Sequence, residues 1–206
     1  CNAPRKGLRI LMYHALGSDV RGDIRGLFCT KPSDFVEQMA ILNDYEFGNV
    51  VEIQSFLNDD KLNIAISFDD GYGDNLKIGA PILAKYGFPF TVFVTSEYIR
   101  KGMKSFLSIS ELRELASLPG VTIGALGANH LPLAKCDNAT IVSELGSSKN
   151  FLEDVLGEEI ALFAYPFGSA DRRVASFASK IGYKFGYSSH FDINRTGRNP
   201  LLMSRT

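Results

Sequence analysis

Ile64-Ala-Ile-Ser-Phe-Asp-Asp-Gly-Tyr72 is the stretch on which the reading of this chain turns. Five residues of buried-strand character end abruptly in two adjacent carboxylates and a glycine, so a strand is expected to deliver Asp69 and Asp70 into a tight turn at Gly71. Like charges this close raise each other's pKa unless a cation or a shared proton intervenes, so the pair implies one or the other. The alternative is an aspartate pair that merely caps the helix beginning near Asn75.

Working outward, apolar β-branched runs alternate with helical patterns along the whole chain, which argues for parallel strands with crossover helices. Seven strands are expected, at residues 8–13, 48–51, 62–68, 90–94, 121–125, 161–165 and 184–188. Helices are expected at 34–45, 75–86, 109–118 and 172–181, with a long one capped by Asp137 or Asn138, reaching Leu156 and stopped by Gly157. Ser108-Ile-Ser-Glu111 fits a capping box. Seven β-α units in 206 residues are too few for an eightfold barrel and too many for a comfortable open sheet. A single domain over residues 1–206, built as an imperfectly closed seven-stranded α/β barrel, is the expectation. Residues 203–206 look like the start of another apolar element, so a final piece cut off at the C-terminus is expected.

The chain carries 22 Lys and Arg against 23 Asp and Glu, with 45% hydrophobic residues, a balance that supports a large core but no broad field for nucleic acid or anionic lipid. No apolar run approaches the roughly 18 to 20 residues of a membrane span. Cys1, Cys29 and Cys136 are odd in number and far apart, so they form neither a CxxC clip nor an evident disulfide framework. The chain opens without methionine; a lipid-bearing Cys1 and an artificial start both fit, and the compartment stays open. Oligomeric state is likewise not written in the sequence.

In a parallel barrel the chemistry gathers at the C-terminal ends of the strands. There stand Tyr13-His14, Asp69-Asp70, Leu126 to Asn129-His130, Tyr165-Pro-Phe167 and His190, so all three histidines of the chain fall at strand ends. A lone strand-end histidine is more often a packing residue; three together with a carboxylate pair weaken that reading.

The stretch 64–72, followed by Ala80-Pro-Ile-Leu-Ala-Lys-Tyr-Gly-Phe-Pro-Phe-Thr-Val-Phe-Val94, resembles the first motif of the NodB-type polysaccharide deacetylases, carbohydrate esterase family 4. Val121-Thr-Ile-Gly-Ala125 with His130-Leu-Pro-Leu133 resembles the second, and Phe163-Ala-Tyr-Pro-Phe-Gly168 the third. Ile10-Leu-Met-Tyr-His14 resembles the permuted arrangement of poly-N-acetylglucosamine deacetylases, in which the motif bearing the catalytic acid lies near the N-terminus. The resemblance implies a distorted (β/α)7 barrel, the NodB homology domain, and metal-assisted removal of N-acetyl groups from an amino-sugar polymer, the N-acetylated glycan being the partner. It makes Asp69 the general base, His14 the general acid, and Asp70 and His130 ligands of a divalent metal, zinc foremost. Tyr165, Pro166 and Phe167 would shape the sugar groove and oxyanion site, and Arg205 would steady the catalytic carboxylate.

One departure stands out. The family's second motif supplies two histidines about one helical turn apart, and here the first position is Leu126. A catalytic zinc has three protein ligands plus water, and this chain offers two. Recruitment of His190, weak metal binding and loss of metal all remain open. The competing function is a pseudoenzyme that holds glycan or a partner protein without hydrolysis. A phosphoryl-transfer site built on Asp69-Asp70 and Mg²⁺ is poorer, because no glycine-rich loop or phosphate clamp follows the strand.

Overall fold

The computed structural model describes residues 6–20, 23–44, 49–55 and 61–206. Six parallel strands run in sequence order across one curled sheet: β1 (Gly7–Tyr13), β2 (Leu62–Phe68), β3 (Phe90–Val94), β4 (Val121–Ala125), β5 (Leu162–Ala164) and β6 (Phe185–Tyr187). Helices α1 (Pro32–Asn43), α2 (Ala80–Tyr86), α3 (Ser96–Arg100), α4 (Ile109–Ala116), α5 (Asn138–Leu156) and α6 (Arg172–Ile181) fill the crossovers. This is the α/β barrel architecture expected, with corrections in its strands. Of residues 48–51, Gly48 lies outside the described residues and the rest makes only one parallel bridge, Val50 to Ile64. It pairs with β2 only at Ile64, ahead of Ile66, where β3 takes over that side of the strand.

Residues 203–206 take the remaining place. Met203 N–H donates to Gly186 O and Ser188 N–H to Met203 O on the β6 side, while Thr206 N–H donates to Ile10 O and Met12 N–H to Thr206 O on the β1 side. The tail therefore bridges both edges of the sheet. Edge donors and acceptors that would otherwise face water are satisfied in this way.

The two-residue period of the strands sorts their side chains into two cores. Leu8, Ile10, Ala65, Phe93, Leu162, Ala164, Tyr187 and Met203 fill the inside of the curl. Ile66, Phe68, Val92, Val94, Ile123 and Phe163 point outward against Phe35, Met39, Leu83, Leu112 and Leu145 of the helices. Gly124 is needed inside, since a Cβ there would come within 2.6 Å of the Phe93 ring.

Helix signals behave as their chemistry dictates. The Ser108–Glu111 capping box is formed, Asp137 accepts from Thr140 N–H, and Gly157 ends α5 at φ 74°. The segment expected as one helix over 75–86 is a π-helical turn, Asn75–Gly79, running into α2. Its cause lies in Asp74 and Asn75, which bond outward to the loop after β1.

Candidate active site

Alternation along β1 and β2 continues past their ends. Ile10 faces inward, so His14 does too; Ala65 faces inward, so Ser67 and Asp69 follow. Asp69, 5% exposed, donates its N–H to Tyr13 O and has both carboxylate oxygens gripped by Arg205, at 2.6 and 2.8 Å. Arg205 is itself 1% exposed. It donates to Ser188 O and Ser67 Oγ and lies 5.1 Å over the Phe93 ring. A bidentate guanidinium in so dry a place fixes a carboxylate's orientation.

Asp70 would point outward by the same alternation, but its backbone is turned to φ 72°. His130 (φ 58°) and Phe167 (φ 57°) are also left-handed. Among the described residues only four non-glycine residues have positive φ, and three of them are here; such conformations cost about 1–3 kcal/mol each and gather where function requires an unusual presentation. Asp70 Oδ1 lies 3.3 Å from His130 Nε2 and is buried without a hydrogen-bond partner. Burial, and then the neighbouring Asp69 charge, push the Asp70 carboxyl up to about 7, against the lowering effect of Arg205. His130 sits below its ordinary value mainly through burial, with Asp69 opposing, and its ring packs edge-on to Phe167 at 4.5 Å.

His14 is lowered by burial and raised by the Asp69 charge, which places it within electrostatic reach of that carboxylate. Its ring packs edge-on to Phe28 at 4.9 Å. The chain behind it is tied down by Asp74 and by Asn75, the residue at which a helix was expected to start. Asn75 Nδ2 donates to His14 O, and Asp74 Oδ2 accepts from Leu16 and Ser18 N–H. Two polar residues just past a carboxylate turn were the available signal.

Three expectations need correcting. Tyr165 does not line a groove: it alternates with inward Ala164, so it packs in the outer core at 1% exposure and donates its hydroxyl to Leu201 O. Pro166 is buried too, and of this trio Phe167 alone, 70% exposed, offers its ring to a ligand. His190 is exposed and the structure brings it to no donor cluster; among the described residues no group of three His, Cys, Asp or Glu side chains could hold a metal. Leu126, 1% exposed, belongs to the inner apolar core with Phe93, Ala164 and Tyr187.

The spacing of Asp70 and His130 suits two ligands of one divalent cation. Two ligand atoms at the bond lengths of zinc, about 2.0–2.2 Å, stand roughly 3.4 Å apart on a tetrahedron. The observed 3.3 Å and the unpartnered Oδ1 match two such vertices.

A curled parallel sheet with carboxylates and imidazoles gathered at its C-terminal strand ends is an α/β-barrel architecture. The family model described as Polysaccharide deacetylase matches residues 57–186, and the chain belongs to that family. The candidate polysaccharide deacetylase YxkH of Bacillus subtilis is 29% identical over 188 residues, covering 88% of this chain and 64% of YxkH. A poly-β-1,6-N-acetyl-D-glucosamine N-deacetylase of Staphylococcus aureus is 24% identical over 139 residues, 62% of this chain and 48% of that protein. Both curated relatives are therefore substantially longer than the region they share with this chain. Among solved structures, the Streptococcus pyogenes deacetylase PplD in complex with acetate superposes with a TM-score of 0.83 at 22% identity, over 97% of this chain and 91% of that one. His14 and Arg205 lie outside the matched span and reach the site from opposite ends of the chain.

Proposed function

We propose that this chain is an N-deacetylase of an amino-sugar polysaccharide, using a divalent metal held by Asp70 and His130. The observation that carries the reading is the Asp69–Arg205 clamp next to an unpartnered carboxylate facing an imidazole. The staphylococcal relative, whose name specifies a β-1,6-linked N-acetylglucosamine polymer, supports that substrate class.

Asp69 is the general base. Arg205 holds it oriented so that it takes a proton from the attacking water as the water oxygen bonds to the acetyl carbon. When bound, the metal supplies Lewis-acid polarisation of the acetyl carbonyl. As the carbon–nitrogen bond breaks, His14 gives a proton to the departing amine; its lowered pKa makes it the stronger acid once protonated. Phe167 offers an exposed apolar face for a sugar ring. Without metal, a carboxyl near 7 holds a proton much of the time at neutrality, and a cation competes with that proton for Asp70.

The test is acetate release from N-acetylglucosamine oligomers with and without added Zn²⁺, Co²⁺ or Ni²⁺. Metal-dependent acetate release is expected. Oligomer binding with no acetate under any metal would instead support the glycan-binding pseudoenzyme.

Pro166 precedes the left-handed Phe167 and fixes the turn that carries it. Pro166→Ala is expected to lower kcat about tenfold with KM changed less than twofold, as for an interaction realised in the transition state. A rise in KM alone would assign the turn to substrate binding.

A further inference from the structure

The inward face of α5 is made of Ile141, Leu145, Ser148 and Leu152, and one carboxylate, Glu144, stands among them at 4% exposure. A buried carboxylate is costly unless its oxygens are taken. Both are taken by a single residue: Asn129 N–H donates to Oε2 at 2.8 Å and Asn129 Nδ2 to Oε1 at 2.7 Å. Asn129 immediately precedes His130.

The rest of this loop is held equally closely. Leu126 N–H donates to Val94 O, and the carbonyls of Gly127 and Ala128 accept from Ser96 and Glu97 N–H in the first turn of α3. Gly127 has φ 71°, and a Cβ there would stand 3.2 Å from Glu144 Oε2 and 3.5 Å from Pro166 Cγ. The loop thus wraps around the Glu144 carboxylate on one side and closes the start of α3 on the other. His130 leaves it in a left-handed conformation that a free chain avoids.

We propose that Glu144 is the positioning residue for His130: its carboxylate, doubly bonded to Asn129, holds the loop in the one conformation that turns His130 Nε2 toward Asp70. The proposal rests on the reading of His130 as a metal ligand. A carboxylate suits the task because Asn129 presents two donors and no acceptor to it, and only a group with two acceptor oxygens meets both. Glutamine can replace it only if the Asn129 amide turns over to offer its oxygen. Alanine provides no acceptor, so both Asn129 donors lose the partner that ties the loop to α5.

The experiment compares Glu144→Ala, Glu144→Gln and Leu145→Ala. Leu145 is the neighbouring inward residue of α5, fully buried, and its truncation destabilises the same helix while leaving both Glu144–Asn129 hydrogen bonds in place. Zn²⁺ affinity is measured by competition with a chromophoric chelator, and the histidine imidazoles are followed by NMR in ¹⁵N-histidine-labelled, metal-free protein. Glu144→Ala is expected to weaken Zn²⁺ binding by about tenfold or more, the range seen when the partner that orients a ligand is removed, and to shift the His130 signals. Glu144→Gln should recover most of both. Leu145→Ala should change Zn²⁺ affinity less than twofold even if it melts earlier. If Glu144→Ala does not fold, Asn129→Ala removes the side-chain half of the clasp and is expected to shift the His130 signals in the same direction. Unchanged His130 signals in folded Glu144→Ala, or equal effects from Leu145→Ala, overturn the proposal. If instead the parent binds no Zn²⁺ while its His130 signals move only in the Glu144 variants, the positioning stands and the metal reading falls.

Discussion

Asp69→Asn is expected to lower acetate release by about 10²–10⁴-fold, the usual contribution of a general base, while Zn²⁺ affinity stays within about threefold of the parent. Asparagine keeps the shape of the side chain but accepts no proton from water. Asp70→Asn is expected to do the opposite and weaken Zn²⁺ binding itself, since Oδ1 is the unpartnered oxygen facing His130. The Asp69 variant carries a structural cost as well. Arg205, 1% exposed, would be left with its charge uncompensated, and breaking a buried pair from one side destabilises by about 3–5 kcal/mol. Asp69→Asn with Arg205→Met should therefore melt at a higher temperature than Asp69→Asn alone and remain as inactive. Equal loss of Zn²⁺ affinity in Asp69→Asn and Asp70→Asn would show that the two carboxylates bind as one unit and that the division of roles is wrong.

Leu126→His is the second large effect. With two protein donors, the parent is expected to bind Zn²⁺ weakly; a third imidazole at the position the family resemblance assigns to a ligand should raise affinity by about tenfold or more and increase acetate release. Leu126 now packs with Phe93, Ala164 and Tyr187, so an imidazole there is buried. Without metal an unpartnered polar group of that kind costs about 1–3 kcal/mol, and the metal-free variant should melt below the parent. Added Zn²⁺ should reverse this, because ligand at a hundred times Kd contributes about 2.7 kcal/mol. A variant whose affinity and melting temperature both ignore Zn²⁺ would mean that position 126 is simply core. One that binds Zn²⁺ tightly but releases no acetate would favour the pseudoenzyme.

The difference between what was legible and what was not follows the range of each interaction. Tyr165 shows that some of it was legible and overlooked: Leu162 and Ala164 face inward, so period two already sends Phe163 and Tyr165 toward the helices. Glu144 left a signal too, as a carboxylate on the apolar stripe of a long helix. Asp74 and Asn75 left a weaker one, because turn aspartates and asparagines normally cap the helix that follows, and here they bond back to the loop after β1.

The sequence by itself determined the elements. Buried β-branched runs, the Ser108–Glu111 box, the Asp137 cap and the Gly157 stop act through bonds within a few residues, and the two carboxylates at the end of β2 follow from adjacency. What the tertiary structure alone decided is how the sheet closes and therefore which groups meet. Residues 203–206 bond to β6 and β1 at once, and this closure brings Arg205 onto Asp69 across 136 positions of sequence. No local preference encodes that contact. The place of the tail is defined by both sheet edges at once, where their N–H and C=O groups and the buried Asp69 carboxylate are satisfied together.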